Sequence, residues 1–445
     1  MLVLQDDNHS LGKIICDPIH GHIRVPSYCL EIIDTPEFQR LRDLKQLGVT
    51  QYIFPGAVHT RFEHCVGVSV LANKLIRQIK RRQPELHISD RDVRCVTLAG
   101  LCHDLGHGPF SHLFETWFRR QNLNFDHEIM SLRLLEYLVD ENGIDIERED
   151  IRFIQDLIRG QPKNAASSSM EDRTWIYQIV ANRHNSIDVD KWDYLARDCY
   201  SLGIKSSYDF SRLMKFNKVI NGEISFHAKE AYNIYEMFHT RYSLFKLVYL
   251  HRVGKAIEYM LCDAFQLADE HMKIKERTQD IAEYSRLTDG ILREIEFSKS
   301  PSLRASREII RRLRKRDLYK MSYEALFHAQ ESELESIKSS DLIDAGLNLP
   351  PDLPRLSPGD VIVGSFDCNY AKLDKDPVQY VKFYNRQTDN VSFSLQKERV
   401  SLLIPYTFNE KCLRVYCTDA SKVSSSRLAM RELLKSKNIQ GQVVQ

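Results

Sequence analysis

A histidine and an aspartate stand side by side in the segment Leu101-Cys102-His103-Asp104-Leu105-Gly106-His107-Gly108. The pair offers one imidazole nitrogen and one carboxylate oxygen, a mixed donor set suited to Fe, Mn, Zn or Mg. Two donors do not fix an ion. His64, in Arg61-Phe62-Glu63-His64, and Asp190, in Asp188-Val189-Asp190-Lys191-Trp192-Asp193-Tyr194, are the candidates to complete the set. Further histidines cluster between these segments: His107, His112 and His127, the last followed by Glu128. With an ordinary pKa of about 6.5, an imidazole can hand over a proton near neutral pH. Breaking a phosphate ester requires positive charge on the phosphoryl oxygens and a proton for the leaving oxygen. The ion with Arg61, Lys191 and Arg241 would meet the first need, and His112 or His127 the second. Each histidine alone is more often structural. The ordered set of four donors is what favours a metal site.

The elements that must position these groups read as helices. Ser89-Asp90-Arg91-Asp92 is a capping-box start ahead of an apolar run to Leu101. Gly106, Gly108 and Pro109 then turn the chain sharply, leaving the His-Asp pair to face a cavity. A second helix runs from Asp188 to Leu202. At about 100° per residue, Asp190, Lys191, Tyr194 and Asp198 share one narrow arc. A solvated face is the plain alternative. A metal ligand, a cation, a phenol and a carboxylate together, with Trp192 and Leu195 on another side for packing, point instead to a substrate-facing surface.

Helical periodicity dominates from about 28 to 338, after a flexible arm over residues 1–12. Lys163 to Asp172 reads as an exposed loop. Asn221-Gly222, between Val219-Ile220 and Ile224-Phe226, predicts a β-hairpin inserted among the helices. A long helical stretch follows over 229–272. Four prolines at 350, 351, 354 and 358 set a boundary. Beyond it Asp360–Phe366 and Val378–Tyr384 are β-like and Ser425–Lys437 is a last helix. The expected architecture is mainly α, with a helical domain over 13–345 and a small α+β lobe over 346–445.

Composition narrows the class. The 445 residues suffice for a large core, and 43% hydrophobic with 28% charged residues is ordinary for a globular protein. A net charge of +1 gives no global attraction to nucleic acid or an acidic membrane, so any anion site is local. No apolar run is long enough to cross a bilayer and no secretory leader is evident. The ten cysteines are scattered without a CxxC pair, which predicts buried free thiols and an intracellular location, nucleus or cytoplasm.

The order His…His-Asp…Asp is the signature of the HD phosphohydrolase superfamily. Beyond it, Asp17-Pro18-Ile19-His20-Gly21-His22, Phe54-Pro55-Gly56-Ala57, Arg61-Phe62-Glu63-His64, Ala99 through His112 and Ile187 through Asp198 closely resemble the vertebrate SAM-and-HD-domain deoxynucleoside triphosphate triphosphohydrolases. The likeness covers nearly the whole chain. It leaves no room for a SAM domain ahead of residue 13, and the longer C-terminal regulatory tail is expected to be absent.

The resemblance implies an HD-domain helical core and cleavage of dNTPs into a deoxynucleoside and inorganic triphosphate. It also implies roles in deoxynucleotide catabolism and antiviral defence. By it, His64, His103, Asp104 and Asp190 hold one divalent ion (Fe, Zn or Mn), with Mg²⁺ accompanying the nucleotides. Arg61, Lys191 and Arg241 hold phosphates. His107, His112 and His127 are the catalytic histidines, with His112 protonating the leaving oxygen and Glu128 orienting His127. Gln46, Leu47, Tyr194, Asp198 and Tyr249 surround the sugar: Asp198 and Gln46 bond its 3′-hydroxyl, while Tyr249 and Leu47 crowd the 2′ position.

The family is further an allosteric homotetramer, activated by GTP and dNTP at neighbouring subunit sites. Lys13, Asp34, Gln39, Arg42, Arg316 and Lys320 match its guanine-nucleotide site, although a charged solvent face would equally explain Arg311 to Lys320. Arg212, Lys229, Asn233, Arg252 and Arg386 fit the second effector site. Cys16, His227, Phe245 and Leu250 depart from the family pattern and put effector choice, base preference and tetramer stability in question. Two other readings stand beside this one. The first is a different HD activity, such as a nucleotide monophosphatase or cyclic phosphodiesterase. The second is a non-catalytic nucleotide sensor or single-stranded nucleic-acid binder that keeps the fold, a tetramer cleft being able to bind single strands weakly.

Overall fold

The computed structural model describes residues 12–163, 171–328, 336–386, 390–437, 439 and 442–443. The expected arm at 1–12 therefore lies outside the described residues except for Gly12, and most of the expected loop at 163–172 does too. The architecture is mainly α with small sheets, as expected. No helix among the described residues is long and apolar enough to cross a membrane.

Contacts group the chain into two compact units interleaved in sequence. The first comprises Met1–Glu236, Ile274–Ile291 and Val378–Gln396, and the second Met237–Lys273, Leu292–Pro377 and Lys397–Gln445. This grouping records packing, whereas the sequence boundary at 345/346 records a change of composition.

In the first unit the Arg61–Arg82 helix packs on the Asp90–Cys102 helix and on the Val189–Leu202 helix. All three begin with side-chain caps. Thr60 and Glu63 form a capping box at the first, with the Thr60 amide donating to Glu63 Oε1 at 2.8 Å. Ser89 and Asp92 form the box expected at the second. Asp188 caps the third by accepting the Lys191 amide at 3.1 Å. Such caps satisfy amides left open at a helix start, and each contributes about 1 kcal/mol. On these helices Val68, Leu71, Ala72, Leu98, Ala99, Trp192 and Leu195 are all buried.

Two hairpins flank this core. Strands β1 (Lys13–Asp17) and β2 (Gly21–Val25) pair antiparallel, a feature the sequence reading did not single out. Strands β3 (Asn217–Ile220) and β4 (Glu223–His227) form the expected hairpin, with positive φ at Asn221 (51°) and Gly222 (73°).

The second unit is built on an antiparallel sheet of β5 (Lys320–His328), β6 (Val361–Asn369) and β8 (Asn409–Cys417). The Val423–Ser436 helix buries Ala429, Met430, Leu433 and Leu434 against it. The expected β-like Val378–Tyr384 reduces to a short β7 (Phe383–Tyr384), which lies in the first unit and pairs parallel with β4. The helical stretch expected over 229–272 is present as two helices, Ala231–Leu244 and Arg252–Met272, separated by a π-turn at Phe245–Tyr249.

Candidate metal and phosphohydrolase site

Four side chains from three helices converge in the first unit. His64 lies in the first turn of its helix, His103 and Asp104 follow Cys102, and Asp190 sits one residue into the Val189–Leu202 helix. His64 Nε2 is 3.1 Å from Asp190 Oδ1 and 3.5 Å from Asp104 Oδ2. His103 Nε2 is 3.4 Å from Asp190 Oδ1 and 3.6 Å from Asp104 Oδ1. His64, His103 and Asp104 place one ligand atom each within 4.8 Å of one another.

The remaining nitrogens decide whether this set suits an ion. His64 Nδ1 meets Asp193 Oδ2 at 2.8 Å, and His103 Nδ1 meets the Gly100 carbonyl at 2.9 Å. Both partners only accept, so each Nδ1 donates and each Nε2 presents its lone pair inward. His103 Nε2 is buried without a hydrogen bond. Two imidazole lone pairs and two carboxylates facing one point fit a divalent transition ion.

The electrostatics agree. Burial would lower the His64 pKa, but hydrogen bonds to Asp190 and Asp193 carry it up to about 10. His103 is likewise raised against its burial, by the charges of Asp104 and Asp190. Burial pushes Asp104 and Asp190 up, yet the facing histidines hold both below the usual carboxylate range. The pocket thus favours positive charge at the two Nε2 positions, where a bound cation would replace protons.

Beside this set lies a second cluster. The His107 and His127 rings stack with centroids 3.9 Å apart, and His112 lies edge-on to both. Gly106 makes the approach possible, since a Cβ there would meet the His127 carbonyl oxygen and the Ser131 amide at 2.2 Å. Burial, then the charges of Arg61 and His127, drive the His107 pKa well down. His107 Nε2 lies 3.4 Å from Asp104 Oδ1, while its buried Nδ1 makes no hydrogen bond.

The carboxylate that orients His127 is Glu115, not Glu128. Glu115 Oε1 accepts from His127 Nδ1 in a short contact, and Oε2 lies 3.2 Å from His112 Nδ1. Glu128 instead pairs with Arg183 at 3.2 Å, both about half exposed. The reason is geometric: His127 and Glu128 are adjacent on one helix and point apart, whereas Glu115 sits one turn after His112 on the facing His112–Arg119 helix. This i,i+3 spacing was the available signal. Glu115 is held well below the ordinary carboxyl range by its two histidine bonds, burial opposing. Its charge raises His127, again against burial. Ahead of His112 the chain takes positive φ at Phe110 and Ser111 (59° each). That strain is held by the Phe110 amide on Asp289 Oδ1 (2.6 Å) and by Ser111 Oγ on the Lys45 carbonyl (2.7 Å).

The expected phosphate cations are already engaged. Arg61 forms a short ion pair with Asp104 and donates Nε to Ser111 Oγ at 2.8 Å. Lys191 Nζ lies 3.0 Å from Asp188 Oδ2. Arg241 belongs to the second unit, where Nη1 donates to the Asn369 carbonyl at 2.7 Å. Among the sugar candidates, Gln46 Oε1 is buried without a hydrogen bond. Asp198 is buried and accepts from His59 Nε2 at 2.7 Å, a partner the sequence reading missed. Tyr194 presents its ring 6.5 Å from that of His64. Leu47 precedes the Gly48–Tyr52 3₁₀ turn, and Tyr249 closes the π-turn of the second unit.

Four of the expected effector residues gather in the first unit. Lys13 pairs with Asp34 at 3.7 Å, and Arg42 donates to Gln39 Oε1 at 2.7 Å while stacking on Phe62. Elsewhere in that unit Arg212 and Asn233 both bind Glu230, and Lys229 Nζ lies over the Phe216 ring. His227 packs between Phe216 and Tyr384, two residues before Arg386. In the second unit Arg252 and Lys320 line one cavity of about 270 Å³ with Tyr319 and Tyr416, although the resemblance assigns them to different effector sites. Arg316 stands four residues before Lys320 with a positive φ of 61°.

Comparison with known proteins places these features in context. The HD domain family model matches residues 61–198, the span from the first donor's helix to the last helical carboxylate. The deoxynucleoside triphosphate triphosphohydrolase SAMHD1 homolog of Dictyostelium discoideum is 48% identical over 435 residues, covering 96% of this chain and 82% of that protein. The human deoxynucleoside triphosphate triphosphohydrolase SAMHD1 is 40% identical, covering 93% of this chain and 71% of its own. A putative HD domain-containing protein of Acanthamoeba polyphaga mimivirus, L394, is 33% identical over 96% of both.

Proposed function

This chain belongs to the family of SAMHD1-type deoxynucleoside triphosphate triphosphohydrolases, and on that premise we propose that it cleaves dNTPs into a deoxynucleoside and inorganic triphosphate. One observation carries the reading: His64, His103, Asp104 and Asp190 converge beside a cluster of three histidines, two of which, His112 and His127, are bridged by Glu115. A divalent ion there would supply Lewis-acid charge to the phosphoryl oxygens.

The chain's own groups do the rest. Water supplies the hydroxyl retained by triphosphate, the bond from the α-phosphorus to the 5′ oxygen breaks, and His112 protonates that oxygen. His112 suits this role because Glu115 engages its Nδ1, leaving Nε2 as the donating atom, on a side chain 71% exposed to an incoming substrate. Arg61 and Lys191 hold phosphates by exchanging Asp104 and Asp188 for phosphate oxygens; for Arg241, in the second unit, a phosphate role rests on the family resemblance alone. Gln46 and Asp198 bond the 3′-hydroxyl, Tyr194 lines the sugar, and Leu47 crowds its 2′ carbon; for Tyr249, in the second unit, that role rests on the family resemblance alone. A ribose hydroxyl left unpaired there costs about 1–3 kcal/mol, which favours deoxynucleotides.

Regulation belongs to the same reading. GTP and dNTP bind at Lys13, Asp34, Gln39, Arg42, Arg316 and Lys320, and at Arg212, Lys229, Asn233, Arg252 and Arg386, to assemble a homotetramer. Mg²⁺ accompanies these nucleotides, and the enzyme works in the nucleus or cytoplasm. The test is turnover of each of the four dNTPs with and without GTP, resolving triphosphate from orthophosphate. Triphosphate release supports the reading, and orthophosphate alone defeats it.

A further inference from the structure

Asp193 is absent from the expected site, yet it is the most heavily bonded carboxylate near the metal donors. Its side chain is fully buried. Oδ1 takes His20 Nε2 at 2.6 Å and Arg197 Nη2 at 2.9 Å. Oδ2 takes His64 Nδ1 at 2.8 Å and Arg197 Nε at 2.8 Å. Four donors occupy the four acceptor positions a carboxylate offers. Arg197 in turn donates Nη1 to Asp17 Oδ2 at 3.0 Å. Asp17 Oδ1 accepts the Ile19 and His20 amides at 2.8 Å each, which shapes the turn between β1 and β2.

The N-terminal hairpin is therefore fastened to the metal histidine through two buried routes, His20–Asp193 and Asp17–Arg197–Asp193. Gly67, one turn after His64, makes room for them. A Cβ there would lie 2.0 Å from Asp193 Oδ1 and 2.5 Å from Arg197 Nη2. Structural burial alone does not require a histidine side chain, 2% exposed, from a surface hairpin to reach this carboxylate.

We infer that His20 is a positioning residue for the metal: by holding Asp193 it fixes the tautomer and orientation of His64, so that the β1–β2 hairpin controls how firmly the ion is kept. This rests on the metal reading above. Partners of metal-bound histidines typically change ion affinity by about 10–100-fold when removed.

The test uses the full chain loaded with Co²⁺. Release to a chelator should be roughly 10–100 times faster in His20→Ala than in wild type, and His20→Gln, whose amide can still donate to Asp193, should restore slow release. Ile14→Ala, an exposed change in the same hairpin, should leave release unaltered. Proton NMR of the Co²⁺ form separates positioning from general loosening. The shifted Nδ1–H signal of His64 should exchange away in His20→Ala while that of His103, held by Gly100, persists. Unchanged release, or loss of both signals together, would overturn the inference. A wild-type chain that takes up no Co²⁺ defeats it as well, and with it the metal reading, which release kinetics alone would not touch.

Discussion

Glu115 and Glu128 make the sharpest contrast between neighbouring residues. Glu115→Gln keeps the shape but removes the charge that raises the His127 pKa against its burial. The His127 imidazole, followed by NMR, should then titrate at lower pH than in wild type, whereas Glu128→Gln should leave it unmoved. Turnover should fall about 10²-fold or more in the first variant, the scale of acid–base contributions. It should stay near wild type in the second, whose exposed ion pair is worth at most about 1 kcal/mol. The pH dependence has two limbs. Glu115 is depressed, so its stabilisation is present above the ordinary carboxyl value and lost as pH falls through its folded value. His127 is raised, so its stabilisation is present below the ordinary imidazole value and lost as pH rises through its folded value. Wild-type minus Glu115→Gln stability should therefore peak between roughly pH 4.5 and 6.5, measured by urea denaturation across pH. Of this chemistry, His103-Asp104 was legible because the two are adjacent, and Asp190 because helical periodicity set it on one arc with Lys191. Asp193 was not, because its role lies in a contact made across the fold, 129 residues from His64, and of Glu115 only the i,i+3 spacing to His112 was local, its hold on His127 spanning 12 residues.

Helices carry most of what sequence could reveal at the next scale. The capping box expected at Ser89 is local chemistry, and the structure keeps it, adding a box at Thr60 and a cap at Asp188 that the same kind of local pattern encodes. Ser89→Ala should cost about 1 kcal/mol in denaturant titration. Gly106→Ala should cost more, about 1–3 kcal/mol, because the new methyl is driven into the His127 carbonyl and the Ser131 amide. It should also part His107 from His127, so activity should fall further than stability explains. The strands were harder to read. In β5 the buried residues Tyr323, Ala325 and Phe327 alternate, a period-2 signal masked by the basic helical run before it. The break at Phe245–Tyr249 was not read from sequence, since no Gly or Pro stands between Ala231 and Arg252 to mark it.

At the scale of the whole chain, sequence gave the class and not the grouping. Helical content with a small sheet-and-helix region near the C-terminus was expected and is present. That Val378–Gln396 belongs to the first unit, with β7 beside β4, depends on a pairing more than 150 residues apart that no local pattern encodes. Assembly belongs to this scale as well. Under the proposed regulation, GTP together with a dNTP should shift the sedimenting species from the 52.0 kDa chain toward its fourfold multiple, and turnover should rise in parallel. Assembly and turnover that ignore GTP would remove the regulatory proposal and leave the chemistry standing.

Most directly at stake is the sharing of one ion by His64, His103, Asp104 and Asp190. Elemental analysis of the purified chain against an Asp104→Ala, Asp190→Ala double variant measures it. The account predicts close to one transition-metal equivalent per chain in the wild type and almost none in a folded double variant. A full equivalent in both would contradict it.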